Sequence, residues 1–374
     1  MADIVTKTEH VGIFSTLIQS IKGVAAGGAF LLIAPLMLFW NECNSVETAK
    51  SLEEGAGLVV SVSADTVDAG NEGNLVHMSG SAATDETLSD PDFGVSLNAI
   101  KLNRSVEMYQ WEEKKDTNTE GSKKTTTYSY REGWEDELIL SSSFEEQAGH
   151  HNPSTMPYED LSLVAQAVTI GAFTLSSGQV GDLSASEVHT PDSSSYTIKD
   201  GYLYLAANPS SPAIGDIRIQ YKVMRPGPVS LVAQQSGTSV SSYQTDAGKS
   251  ISLIQSGTAT AEDMFAAAQS ANVVMTWVLR LVGFIMIFGG LNLLIGPLRV
   301  VAERIPMLGG LFGAGMSLVT FLIAAAVSLI IIALAWLTAR PLLGIFLLLL
   351  GGGAFVGSIV LVVGASRKLK AAAS

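Results

Sequence analysis

The residues whose types could do chemistry are five histidines, one cysteine and a lone arginine inside an apolar run. His150 and His151 are the only adjacent histidines. Neighbours in an extended chain point to opposite sides and do not readily clasp one metal. His10, His77 and His189 stand at no ligand spacing from another His or Cys. A turn before Asn152-Pro153 is the plainer expectation for the pair, and no metal site is assigned. No Gly-x-Ser-x-Gly, phosphate-binding loop or dinucleotide fingerprint occurs. The reading is therefore non-enzymatic, with no catalytic residue and no cofactor. Cys43 stands alone, which excludes an intramolecular disulfide framework and a zinc ribbon.

Arg280 falls eight residues into the apolar run Val273 to Ile295. A charge near the bilayer centre costs a few kcal/mol. Arg280 is expected to snorkel to the outer interface; a polar contact within the bundle or an ion path is the functional alternative. Arg340-Pro341 reads as a tight turn with Arg340 as an interfacial anchor. Trp40, Trp277 and Trp336 lie near the ends of apolar runs, as membrane-interface residues do. Gly-x-x-x-Gly steps at Gly23 and Gly27, Gly309 and Gly313, and Gly353 and Gly357 allow close helix approach, within one chain or between copies.

These residues are carried by four apolar runs. The chain has 374 residues, 15% of them charged and 47% hydrophobic. Gly23 to Trp40, Val273 to Ile295, Leu311 to Thr338 and Leu342 to Gly364 each approach or exceed the ~20 residues that cross ~30 Å of hydrocarbon. The fold class expected is an α+β integral membrane protein. It has one N-terminal and three C-terminal transmembrane helices and a large β-rich extracytoplasmic domain.

The expected organisation is an amphipathic cytoplasmic segment at 1–22, span one at 23–40, the β-rich domain at 41–260 and a linking helix with span two at 261–295. A cytoplasmic connector at 296–310, span three at 311–338, span four at 342–364 and a cytoplasmic tail at 365–374 follow. The short segments 1–22, 296–310 and 365–374 carry Lys7, Lys22, Arg299, Arg304, Arg367, Lys368 and Lys370, whereas the connection between the third and fourth spans holds only Arg340. The positive-inside rule then puts both termini in the cytoplasm. Residues 41–272 hold 13 Lys and Arg against 32 Asp and Glu, a charge of −19, while the remainder is +6, so the acidity behind the overall −13 belongs to the outer domain. Such acidity excludes nucleic acid as a default partner.

Within the domain, residues 216–223 alternate polar and apolar as a half-buried strand does. Residues 201–205 and 57–63 read as further strands. Residues 105–111 and 125–130 read as a hairpin whose charged loop is EEKKDTNTEGSKK. Thr260, followed by Glu262 and Asp263, marks a helix start. That helix is expected to run unbroken into the second span and hold the domain rigidly to the membrane.

Six segments together resemble the transmembrane protein 43 family, also called LUMA. They are FWNECNSVETAKSLEEG (39–55), VEMYQW (106–111), GHHNPSTM (149–156), GDIRIQY (215–221), TWVLRLVGFIMIFGGLNLL (276–294) and ALAWLTARPL (333–342). Cys43 departs from the small residue expected there. The resemblance implies a membrane scaffold that organises complexes through self-association and binding of other membrane proteins, in contact with membrane lipids. An oligomeric ion channel or transporter is the alternative. Animal members sit in the endoplasmic reticulum and inner nuclear membrane with partners such as emerin and lamins. The low charge and the abundance of Ala, Gly and Ser point instead to a bacterial cytoplasmic membrane with a periplasmic domain.

Overall fold

The computed structural model describes residues 3–10, 12–120, 123–192, 195–302 and 309–372. Its contacts divide the chain into two units. One comprises Met1–Lys7, Ser51–Thr117 and Thr126–Ala266; the other comprises Thr8–Lys50, Asn118–Thr125 and Ala267–Ser374.

The first unit is β-rich and has two apolar cores. One lies inside a closed ring of five strands. Gly227–Ser236 pairs antiparallel with Leu75–Ala83 along one edge and with Ser239–Ser241 along the other. Phe173–Thr174 and Thr169–Ile170 complete the circuit. Alternation along Leu75–Ala83 and Gly227–Ser236 turns Val76, Met78, Leu231 and Ala233 into the ring, where they pack with Ile170, Phe173 and Val240. His77 and Ser79 are thereby sent to the outer face. Closure leaves few exposed ladder edges, the usual liability of a sheet. Gly171 makes the turn between the two shortest strands at φ +58°, and a Cβ there would lie 2.2 Å from the Ala64 carbonyl. Only glycine fits that approach.

The second core underlies an eight-stranded sheet. Its main path runs Asp3–His10, Lys123–Glu135, Lys101–Glu120, Ile217–Met224, Tyr202–Leu205, Thr197–Lys199. Ile217 faces Met108 and Ile219 faces Val106 across one antiparallel register. A buried Arg104 pins the surrounding loops. Its guanidinium bonds both oxygens of Asp90 at 2.9 and 2.7 Å, Asp92 at 2.9 Å and the Glu159 carbonyl at 2.9 and 3.1 Å. Tyr221 donates to the same Asp90 at 2.5 Å.

Two segments singled out in the sequence are explained by side-chain amides, one buried and one half-buried, that stand in for missing strand neighbours. Gln110 accepts from the Ile139 N–H at 2.9 Å and donates to the Glu137 carbonyl at 2.9 Å. Asn152 accepts from the Trp111 N–H at 2.7 Å and donates to the Trp111 and Ile139 carbonyls at 2.9 and 3.1 Å.

The second unit consists chiefly of long helices. These are α1 (Ile13–Leu58) as far as Lys50, α3 (Ala261–Ala302) from Ala267 on, α4 (Gly309–Ala339) and α5 (Pro341–Ala372); the short α2 (Ser177–Asp182) belongs to the first unit. Each long helix holds a stretch long and apolar enough to cross a membrane. Leu32, Leu36, Leu342 and Leu349 lie exposed on them, as lipid-facing side chains do. Thr260 caps α3: its hydroxyl accepts from the Asp263 N–H at 3.1 Å and donates to the Asp263 carboxylate at 2.7 Å.

Three local expectations need correction. Residues 13–22 continue α1 rather than forming a separate amphipathic element, because no Pro or Gly lies within them to end the helix before the apolar run; residues 1, 2 and 11 lie outside the described residues. Asp3–His10 is an edge strand on Lys123–Glu135. Of the segment 57–63, residues 57–58 end α1, only Val60–Ser61 is strand, and the rest is irregular. The charges at 112–120 sit in the strand rather than in a loop, because a two-stranded ribbon leaves both faces wet and tolerates Glu and Lys. Residues 121–122, at the tip, lie outside the described residues.

Candidate functional site

The polar contacts of the helical unit concentrate where α1, α3 and α4 meet. The helices α1 and α3 run antiparallel, so the residues after the first apolar run face those before the second. On α3, Gln269, Asn272, Thr276 and Arg280 recur at steps of three and four and share one face. On α1, Asn41, Glu42, Ser45 and Ala49 answer them.

Gln269 donates to the Ala49 carbonyl at 2.9 Å and Asn272 to the Ser45 carbonyl at 3.0 Å. Thr276 bonds the Ser45 hydroxyl at 2.7 Å, and Asn41 donates to the Thr276 carbonyl at 3.3 Å. The ladder ends on Glu42, whose side chain is 0% exposed. Arg280 grips it with a fork: Nε donates to Oε1 at 2.6 Å and Nη2 to Oε2 at 2.7 Å. Trp336 of α4 adds a third donor, Nε1 to Oε2 at 2.6 Å. The Arg280 guanidinium also lies 4.7 Å from the centroid of Trp277.

A buried carboxylate is tolerated only when paired and hydrogen-bonded. Glu42 meets both conditions by drawing on three helices. Fork geometry adds direction to charge, so the cluster sets the register of α1 against α3 as well as holding them together.

Below the polar ladder the same two helices touch through small residues. A Cβ at Gly27 would lie 2.7 Å from the Gly290 carbonyl, and one at Gly283 would lie 2.5 Å from Leu38. A Cβ at Gly23 would meet Leu293 at 3.3 Å. Leu38, Ala34, Ile287 and Ala324 form the apolar centre, with Phe321 edge-on to Phe284 at 5.2 Å.

Of the residues singled out in the sequence, Gly23 and Gly27 thus pack within the chain. Gly353 and Gly357 do not: each has nothing within 4 Å of an added Cβ. The glycines of α5 that face α4 are Gly344 and Gly351. A Cβ at Gly344 would lie 3.0 Å from the Ala333 carbonyl, and one at Gly351 would lie 3.2 Å from the Ala326 carbonyl. The surroundings of Gly309 and Gly313 lie outside the described residues.

Trp40 and Trp277 are exposed, and Arg340 stacks on Trp336 at 5.5 Å. Arg280 is 17% exposed and makes a contact inside the bundle rather than extending free to the interface. Sequence reasoning missed Glu42. The signal available was a carboxylate at the end of one apolar run and an arginine near the start of the next, at equal depth in an antiparallel pair.

The paired histidines have a structural setting. His150 is buried, stacked on Tyr130 at 4.0 Å and edge-on to Trp111 at 4.7 Å, with Nδ1 donating to the Glu146 carbonyl at 3.1 Å. The neighbouring Tyr130 donates to Glu113 at 2.6 Å. Burial first, and then that carboxylate, push its phenol up to about 12.

Comparison with known proteins agrees with this architecture. The family model for Transmembrane protein 43 matches residues 108–341, from the β-rich unit to the start of α5. Transmembrane protein 43 of Homo sapiens is 35% identical over 384 aligned positions, covering 95% of both chains, and that of Pongo abelii gives the same figures. The Drosophila melanogaster protein named Transmembrane protein 43 homolog is 33% identical, over 91% of this chain and 96% of its own. No solved structure matches. With that coverage, the chain is a multi-pass membrane protein that belongs to the transmembrane protein 43 family.

Proposed function

We propose that the protein is a membrane scaffold that needs no catalysis, holding membrane complexes together by self-association and by binding other membrane proteins. The observation that carries the reading is the unequal use of its small-residue faces. Gly23 and Gly27 on α1, and Gly344 and Gly351 on α5, are consumed by neighbours in the same chain. Gly353 and Gly357 present an open face between exposed Leu349, Leu350, Val356 and Val360. Association of spans relies on close backbone approach, which such a face permits. The partners proposed are lipids, a second copy and other membrane proteins, with no role for nucleic acid.

The channel alternative loses its main residue, since Arg280 is bound to Glu42. Among the described residues, Asn292, Thr320 and Ser358 bond carbonyls of their own helices, those of Phe288, Ser317 and Ala354. They do not form a lined path. The test is the mass of the purified chain in lipid nanodiscs, by light scattering with lipid subtracted. A discrete oligomer agrees with the reading; a monodisperse monomer at all concentrations refutes its homo-oligomeric form.

We also propose that the β-rich domain lies outside the cytoplasm, in the periplasm or in the lumen of the endoplasmic reticulum. The preference for a bacterial membrane gains no support from the relatives, which are animal proteins. The basic residues Arg299, Arg304, Arg367, Lys368 and Lys370 in the short segments 296–310 and 365–374 favour the cytoplasm for those segments and the opposite side for the domain. Lys370→Cys and Asp246→Cys, each in a Cys43→Ser background, should react with impermeant maleimide from opposite sides of sealed vesicles. Reaction from one side refutes the orientation.

A further inference from the structure

The outer face of the five-stranded ring carries an arrangement that a scaffold does not use. Ser61 and His77 are register partners on adjacent parallel strands, so their side chains project to one face. Ser61 Oγ lies 3.3 Å from His77 Nδ1. His77 Nε2 lies 2.9 Å from the Ala259 carbonyl oxygen. A carbonyl only accepts, so Nε2 carries the proton, and the lone pair of Nδ1 is turned to the Ser61 hydroxyl. The imidazole is buried, whereas Ser61 is exposed.

The orienting carbonyl is itself held in place. The Ala259 N–H donates to Ser230 Oγ at 2.8 Å, and Ser230 Oγ bonds Ser79 Oγ at 2.8 Å. Ser61 and His77 line an open surface recess of about 460 Å³ together with Thr260, Ala261 and Asp263, at the start of α3. The Ala261 and Glu262 N–H groups have no acceptor within their helix. The positive end of a 42-residue helix therefore borders the space in front of the serine.

Hydroxyl, imidazole base and a third group that fixes the tautomer, in hydrogen-bond sequence, form the constellation of nucleophilic acyl transfer. We propose that Ser61 is a nucleophile activated by His77 and that the recess accepts a carboxylic ester. Attack forms the Ser61 Oγ–carbon bond and passes the hydroxyl proton to His77 Nδ1. Collapse breaks the carbon–alkoxide bond, and the same proton leaves with the alcohol. Water, deprotonated by His77, then releases the acid and restores Ser61. The Ala261 N–H lines the same space, as does Asp263, whose own N–H is taken by the Thr260 hydroxyl.

No motif marks the site, because Ser61 stands on a short strand, Val60–Ser61, and not on a strand-to-helix elbow. The proposal adds a catalytic activity to the β-rich domain, whereas the scaffold reading rests on the spans, and the two readings stand or fall separately.

The test uses the full chain in nanodiscs and an alkyl fluorophosphonate, which forms an Oγ–phosphorus bond, expels fluoride and gives the hydroxyl proton to the imidazole. Peptide mass mapping should place the adduct on Ser61 in native protein and not in heat-unfolded protein. His77→Gln should slow labelling by about 100-fold, the scale of a lost general base, at an unchanged melting temperature. Ser61→Ala should remove the adduct and the hydrolysis of p-nitrophenyl butyrate. Absence of a Ser61 adduct in the native chain overturns the proposal. So does equal labelling after unfolding, or equal labelling of a His77→Gln variant that melts like the parent.

Discussion

Replacing Glu42 with Gln leaves the side chain its shape and removes the charge on which α1, α3 and α4 converge. The structure sets the scale. Glu42 is 0% exposed and receives three donors, two from Arg280 and one from Trp336. Breaking a buried pair by removing one partner costs about 3–5 kcal/mol, because the other charge stays behind unpaired. Arg280 keeps 17% of its side chain exposed and can recover some solvation. The lower end applies, about 3 kcal/mol, or roughly 100-fold in the unfolding equilibrium. Arg280→Gln should cost a similar amount, since it strands the carboxylate.

The double variant should be no worse than either single one, giving a coupling of about 2–3 kcal/mol in a double-mutant cycle. The assay is reversible unfolding in mixed micelles of increasing SDS fraction, followed by tryptophan fluorescence. Trp277 and Trp336 both touch the cluster and report its loss. Additive single effects, or singles within 0.5 kcal/mol of the parent, refute the claim that this pair holds the helices in register.

Further outcomes follow from the same geometry. Gly27→Leu should destabilise the helical unit by several kcal/mol, because its Cβ alone would sit 2.7 Å from the Gly290 carbonyl; Gly353→Leu meets open space within the chain and should leave the unfolding midpoint of the detergent-dispersed monomer unchanged. Gly171→Ala should lower the melting temperature of the β-rich unit by several degrees, because it combines positive φ with a 2.2 Å clash on Ala64. In an alkaline spectrophotometric titration Tyr130 should ionise only near pH 12. The sign follows from linkage: the unfolded phenol loses its proton from about pH 10 and the folded one does not, so stability falls with rising pH across that window. Tyr130→Phe should remove the late-titrating phenol.

What could be read from the chain alone follows the range of each interaction. The four spans, the half-buried strand at Ile217–Met224 and the Thr260 cap depend on neighbours within a turn or a pleat, and periodicity displays them. The five-stranded ring was not legible, because two of its strands, Thr169–Ile170 and Phe173–Thr174, are two residues long and show no pattern. The Glu42 cluster was not legible either. Its partners are 238 and 294 positions away, and the sequence shows only an acid after one apolar run and an arginine within another. Small residues revealed where helices can approach but not which approaches occur: Gly353 and Gly357 were marked by spacing, whereas Gly344 and Gly351, seven apart, face α4. Ser61 and His77 are separated by 16 positions and meet only through strand pairing.

The central claim, that an open face of α5 joins copies of the chain, is tested most directly by oxidative cross-linking in native membranes. In a Cys43→Ser background, Gly353→Cys should form a disulfide-linked dimer on mild oxidation, and Gly351→Cys, which faces α4, should not. Equal cross-linking at both positions, or none at Gly353→Cys, would contradict the account.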